Sequence, residues 1–250
     1  MVNHNTDTIP VSGDNVFTVI VAAGSGTRFG SQVPKQFLDL SGIPVLMRTI
    51  EAFRQTLPEA VVVPVLSADG MEMWSAICEH YGYQSPAVVA GGASRSESVS
   101  NAVRHIRDNY SVDSDTVVMI HDGARPLVAP DMIRAILSRT RDAGVKAVVP
   151  VLPLTDAIAA RTEGDGSVLP VDRASFCAVQ TPQSFRLLGL AEAYRRAGDA
   201  VMPDDAAIMA EYGDAPIMTV PGHPQNIKIT NPNDLEIAEI FLRNPVPYQV

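Results

Sequence analysis

The sequence has no apolar run long enough to span a bilayer. Its first fifteen residues, MVNHNTDTIPVSGDN, lack the basic start and apolar core of a signal peptide. They are polar, and we expect residues 1–15 to be a disordered tail. Cysteine is scarce: only Cys78 and Cys177 occur, far apart, in 250 residues. That excludes a CxxC pair and zinc-type spacing, and it fits a reduced, cytoplasmic setting. Basic residues are also short, with 19 Lys and Arg against 28 Asp and Glu, a formal net charge of -9. Nonspecific nucleic-acid binding needs many cations on phosphates, so no nucleic-acid partner is expected. Internal repeats and low-complexity tracts are absent. With 46% hydrophobic residues, the chain suits a soluble globular protein with no membrane partner.

The apolar patterning alternates between strand and helix. Phe17–Ala23 (FTVIVAA) is a continuous apolar run, expected to be a strand buried on both faces. Helices are expected at Leu46–Thr56, Met71–Tyr81, Glu97–Asp108 and Asp131–Ala143. The strands between them are Ala60–Leu66, Ala87–Ala90, Thr116–Ile120 and Val145–Val151. Pro64 weakens the strand that contains it. This alternation implies right-handed βαβ crossovers and a mostly parallel sheet covered on both faces. Residues 152–177 break the rhythm with two short strand-like runs around EGDG, a turn signal, and are expected to form a β-hairpin arm. Helices follow at Ser184–Ala197 and Asp204–Tyr212, with strands at Ile217–Val220 and Asn226–Ile229. A last helix spans Pro232–Leu242, with Asn231 as N-cap and Pro232 in its first position. The fold class is α/β, a three-layer Rossmann-like single domain over 16–245 with a protruding arm.

Ligands bind such sheets beyond the carboxyl ends of the strands. Three polar loops follow strands there: AAGSGTRFG, GGASRSES and HDGARP. The first gives G-x-G-x-x-x-G through Gly24, Gly26 and Gly30, which is neither a dinucleotide fingerprint nor a Walker loop. Glycines let backbone N–H groups approach an anion, and Arg28 and Lys35 add fixed charge. Two cations suit charge that grows during phosphoryl or nucleotidyl transfer. The plain alternative is a tight turn with surface charges.

AAGSGTRFG with PKQF resembles the signature of small-molecule nucleotidyltransferases, and PKQF that of cytidylyltransferases acting on polyol phosphates. GGASRSESV, HDGARPLV, VDRASFCAVQTPQSF and NIKIT continue the agreement in order, from Val19 to about Leu242. The chain is most similar to the 2-C-methyl-D-erythritol 4-phosphate cytidylyltransferase family. The resemblance implies a homodimeric enzyme that joins CTP to a polyol phosphate with Mg²⁺. It implies that Ala22, Ala23, Gly24 and Gly26 wrap the nucleotide, that Arg28 and Lys35 contact the triphosphate, and that Gly92 and Ser98 read the cytosine. It places Lys228 near the reacting phosphates and Asp122 near the acceptor hydroxyls. A carboxylate at a strand end also suits Mg²⁺, which shares oxygen ligands with phosphates. Catalysis thus falls to Arg28, Lys35, Lys228 and Asp122. Arg173, on the arm, would grip the acceptor phosphate in a second subunit. Asp122 as a turn residue, a helix-start turn at GGASRSES and a local ion pair of Arg173 are the plainer alternatives.

Two positions depart from the family's usual pattern. Asp156 is followed by Ala157 where Asp-Thr is common, and Pro203 stands before Asp204 and Asp205 where a Thr is usual. Both missing hydroxyls belong to the acceptor side, so another acceptor such as ribitol 5-phosphate stays open. A reading of a different class is a nucleotide-binding protein without turnover.

Overall fold

The computed structural model describes residues 15–24, 33–164 and 166–249. The expected tail at 1–15 lies outside them except for Asn15, and so do Gly26 and Arg28. The elements run β1 (Val16–Val21), β2 (Asp39–Leu40), β3 (Ile43–Pro44), α1 (Val45–Thr56), β4 (Val61–Leu66), α2 (Ala68–Tyr81), β5 (Val89–Ala90) and α3 (Arg95–Asn109). Next come β6 (Val117–Asp122), α4 (Pro130–Arg141), β7 (Ala147–Pro153), β8 (Ile158–Arg161), β9 (Val168–Val171), β10 (Cys177–Val179) and β11 (Gln183–Arg186). The chain continues through α5 (Leu187–Ala197), α6 (Asp205–Tyr212), β12 (Ile217–Pro221) and α7 (Pro232–Arg243).

The central sheet runs β10-β7-β11-β6-β1-β4-β5, and β12 also pairs with β7. The β1, β4, β5 and β6 pairings are parallel, as is β12 on β7, while β10 and β11 run antiparallel to their neighbours. It is a mixed, mostly parallel sheet. Alternation along β1 feeds two cores. Val16 and Ile20 pack under α1 and α4, and Phe17 and Val19 pack under α3, α5 and α6. Pro64 is tolerated because β5 pairs only with Val65 and Leu66, so β4 is an edge at that level.

Two expectations need correction, and one element is new. Ser184–Arg186 is strand, not helix: these residues lie in β11 between β6 and β7, and α5 begins at Leu187. Asn226–Ile229 joins no ladder. Its side chains alternate as a strand's do, with Ile229 fully buried, but its backbone bonds to a loop instead. The short β2–β3 hairpin was not anticipated. The expected hairpin within 152–177 does form. β8 and β9 pair with each other as a separate two-stranded sheet, and β7 and β10 form its root.

Between β10 and β11 the register on β7 slips by two residues, from Val179 opposite Val151 to Ser184 opposite Val148. Gln180, Thr181 and Pro182 take up the excess, with a cis bond before Pro182. A bulge of this kind re-aims side chains beside a site. Here it sets Thr181 under the end of β6.

Phe53 of α1 is fully buried and meets the His121 ring edge-on at 4.9 Å, beneath the same strand end. Phe53→Ala is expected to cost about 3–5 kcal/mol through lost burial and the cavity left behind. Urea unfolding of the two proteins checks this.

Candidate active site

The carboxyl ends of β1 and β6 and the loop after β5 surround a cleft of about 630 Å³. Tight packing makes it possible. A side chain on Gly91 would meet Ala23 Cβ at 2.6 Å, and one on Gly123 would meet Ala22 Cβ at 2.8 Å. Two glycine loops therefore lie directly on the small residues that end β1.

The PKQF segment fixes the first loop. Lys35–Phe37 forms a single 3-10 turn after Pro34. Phe37 is buried and stacks on Trp74 at 6.2 Å, which anchors the turn. Gln36 is also buried, and its amide donates to the carbonyls of Ala22 (2.8 Å) and Gly24 (3.2 Å). The clamp holds the described start of the glycine loop and leaves Lys35 lining the cleft.

The second loop is held by its helix. Ser94 caps α3 by accepting from the Glu97 amide at 3.0 Å, and Glu97 reaches back to the Ala93 amide at 2.7 Å. A side chain on Gly92 would lie 2.2 Å from Glu97 Cγ, so the glycine is needed for this closure. Ser98 Oγ accepts from the Gly92 amide (3.1 Å) and donates to Ser94 O (2.8 Å). Its proton is committed within the loop, which leaves acceptor capacity toward the cleft.

Asp122 ends β6 with its carboxylate largely buried. Oδ2 lies 3.0 Å from Lys228 Nζ and 3.3 Å from Arg125 Nε, and Oδ1 lies 3.9 Å from Arg95 Nε. Burial alone would raise the carboxyl's pKa. The charges of Lys228, Arg95 and Arg125 overcome that and hold it well below the usual carboxylate range. Lys228 reaches this position without a ladder. The Ile229 amide donates to Ala124 O at 2.9 Å, and Arg125 Nη1 donates to Asn226 O at 2.8 Å. The NIKIT segment is thereby pinned to the loop that follows Asp122. Arg125 is the fastener of that loop.

Beneath the carboxylate lies a directed chain of hydrogen bonds. His121 Nε2 is 3.0 Å from Arg125 O, and since a carbonyl can only accept, Nε2 carries the proton. Nδ1 then accepts from the Thr181 hydroxyl at 3.0 Å, and that hydroxyl accepts from the Asp122 amide at 3.1 Å. The ring is fully buried, and burial pushes its pKa down to about 4. His121 is a neutral support for the strand end.

Of the residues expected at the site, the fold gathers Ala22, Ala23, Gly24, Lys35, Gly92, Ser98, Asp122 and Lys228 around one cleft. Arg173 does not line it. That side chain is exposed between β9 and β10 and donates to the Thr155 carbonyl. Ala157 and Pro203 are both exposed, so neither is a core position. Two contributors escaped the sequence reading. Gln36 was hidden inside a motif whose Lys drew attention. Arg95 lines the cleft between Ser94 and Ser96, and its partner Asp205 lies 110 positions away. A cation in the first position of a helix, where the dipole disfavours it, was the available signal.

The 2-C-methyl-D-erythritol 4-phosphate cytidylyltransferase family matches residues 16–244. A protein of that name from Porphyromonas gingivalis is 37% identical over 227 residues, covering 90% of this chain and 97% of its own. One from Frankia casuarinae is 37% identical over 235 residues, covering 94% and 84%. The crystal structure of the Thermus thermophilus protein of the same name superposes with a TM-score of 0.69 at 31% identity, over 90% of this chain and 98% of that one.

Because the His121 ring is neutral when folded, its contribution to stability is whole above pH 6.5 and is lost as the pH falls toward about 4. The loss amounts to roughly 3 kcal/mol for a shift of this size. Unfolding free energies between pH 7 and 4, with the His121 ring signals followed by NMR, check this. A ring midpoint at the ordinary value contradicts it.

Proposed function

The chain belongs to the 2-C-methyl-D-erythritol 4-phosphate cytidylyltransferase family, and from that premise we propose that it transfers CMP from CTP to 2-C-methyl-D-erythritol 4-phosphate. The products are CDP-methylerythritol and diphosphate. The observation that carries this reading is the Asp122 cluster beside the Gln36-clamped loop, in a cleft lined by Lys35, Arg95 and Lys228. Residues 16–245 act as one catalytic domain with 152–177 as its arm, in the cytoplasm. No helix of the described residues is long and apolar enough to cross a membrane.

An oxygen of the acceptor phosphate attacks the α-phosphorus of CTP in line. The new P–O bond forms as the bond to the β-phosphate oxygen breaks, and that oxygen leaves with the diphosphate. Both reactants are anions, so positioning and fixed positive charge supply most of the catalysis. Lys35 and Arg28 stabilise the triphosphate as charge builds on the leaving group. Lys228 serves the attacking phosphate and the crowded phosphorus. Asp122 orients Lys228 and accepts from acceptor hydroxyls. Gly24 and Gly26 present backbone to the phosphates. Ser98 and the Gly92 loop face the cytosine, where the spare acceptor capacity of Ser98 suits an exocyclic amine.

Among the described residues no three His, Cys, Asp or Glu side chains gather to hold a metal. Among those same residues Asp122 is the one carboxylate lining the cleft, and cations already engage it. This donor set fits Mg²⁺ carried on the nucleotide's phosphates, with Asp122 adding at most one ligand. When bound, the ion neutralises phosphate charge.

The arm supports a homodimer. Val168, Leu169 and Phe176 are exposed on it and Val179 at its root, apolar side chains that suit burial against a second copy. Arg173 sits among them, outside its own cleft, where it would serve the partner's acceptor phosphate.

Diphosphate release from CTP is expected with 2-C-methyl-D-erythritol 4-phosphate and not with ribitol 5-phosphate. The reverse preference overturns the acceptor, and release with neither leaves the nucleotide-binding reading. Lys35→Ala is expected to lower kcat roughly 100- to 1000-fold with an unchanged melting temperature. Light scattering is expected to show a dimer. Arg173→Ala should leave it dimeric and raise the acceptor KM by about tenfold or more, the worth of one charged hydrogen bond. A monomer with full turnover refutes the shared site.

A further inference from the structure

We infer that Arg95 is a positioning residue for the acceptor end of the cleft, held by Asp205 so that its guanidinium sits beside the Asp122 carboxylate without closing on it. This rests on the transfer reading above, and it extends that reading to a residue outside the recognised motif roles.

Four elements meet at this point. Arg95 opens α3, Asp205 opens α6, Tyr194 comes from α5 and Asp122 ends β6. Arg95 Nη2 lies 2.7 Å from Asp205 Oδ2, while its Nε is 3.9 Å from Asp122 Oδ1. The Tyr194 hydroxyl donates to Asp205 Oδ1 at 2.5 Å. Asp205 is fully buried, and its Oδ2 has no aligned hydrogen bond; the charge of Arg95 is what compensates it.

Stability gives little reason for this arrangement. Burying a carboxylate is costly, and a well-packed apolar pair does as well or better. The cation also stands in the first turn of α3, at the end of the helix dipole that favours anions. Both costs are explained if the charge must be at that place. Arg95 is the side chain of the cleft that is gripped from α6, the helix that follows Pro203. It couples the loop that opens α3 to the start of α6, two residues after Pro203.

Removing the charge of Asp205 tests this without removing its shape. In Asp205→Asn the amide carbonyl still accepts from Tyr194, but Arg95 is left with Asp122 as its nearest anion. The guanidinium then closes on Asp122 and competes with the acceptor's hydroxyls. The acceptor KM is expected to rise about tenfold, a coupling of roughly one decade in affinity, with the CTP KM within about twofold of wild type. Arg95→Lys, which keeps charge but cannot fork to both carboxylates, should show the same split. Unchanged KM values for both substrates, or equal rises in both, overturn the inference.

If Asp205→Asn does not fold, Tyr194→Phe removes one bond from the Asp205 carboxylate and should shift the acceptor KM in the same direction by about two- to threefold. The Arg95 Nε–H NMR signal reads the contact independently of turnover. It should move in both Asp205→Asn and Asp122→Asn. No diphosphate release by the wild type would sink the transfer reading alone, and that signal would still decide whether Arg95 joins the two carboxylates. A signal unmoved by Asp122→Asn overturns the link.

Discussion

Burial raises the pKa of Asp122, and the cations that overcome this and hold it down come from three separate parts of the chain. Lys228 arrives from the segment after β12, Arg125 from the loop after β6, and Arg95 from the first turn of α3. One negative charge therefore fixes the mutual position of elements more than a hundred residues apart. Without it, three cations would face one another across the floor of the cleft. With it, two of them carry charge that a phosphate can still use. The grouping creates an anion site in a chain whose overall charge is -9. Attraction of a nucleotide is thus a short-range property of the cleft and not of the protein as a whole.

Backbone closeness is the second constraint. Ala22 and Ala23 have glycines from two other loops against their Cβ atoms, so the three strand ends approach more nearly than larger side chains allow. The Gln36 clamp then ties the described start of the glycine loop to a turn anchored by Phe37 and Trp74. Rigidity around the ends of β1 is built from small residues and one buried amide. Rigidity around Asp122 is built from charge.

Much of this was legible in the sequence. The buried strands announced themselves as apolar runs, and the helices between them by their spacing, so the α/β class and the strand-end position of the cleft followed. Lys35, Asp122 and Lys228, which line the cleft, were singled out because their neighbours form recognisable motifs. The errors have physical causes. Ser184–Arg186 carries no strand alternation of its own and becomes strand because β6 and β7 leave a gap it can fill. Asn226–Ile229 alternates like a strand, but its partners are loop carbonyls and an arginine. Arg95 and Gln36 act through partners distant in sequence, and no local pattern reveals such a partner.

The hydrogen bonds beneath Asp122 also govern where protons can travel. From the Arg125 carbonyl through His121 and Thr181 every donor has a fixed direction, and the chain finishes on the Asp122 backbone amide, which does not release its proton. It is a conduit closed at one end. The ring cannot pass a proton up to the carboxylate, and the carboxylate cannot drain one into the core. Whatever proton exchange Asp122 undergoes must take place through the mouth of the cleft, so a bound substrate that fills the mouth also isolates the carboxylate from the solvent's acidity.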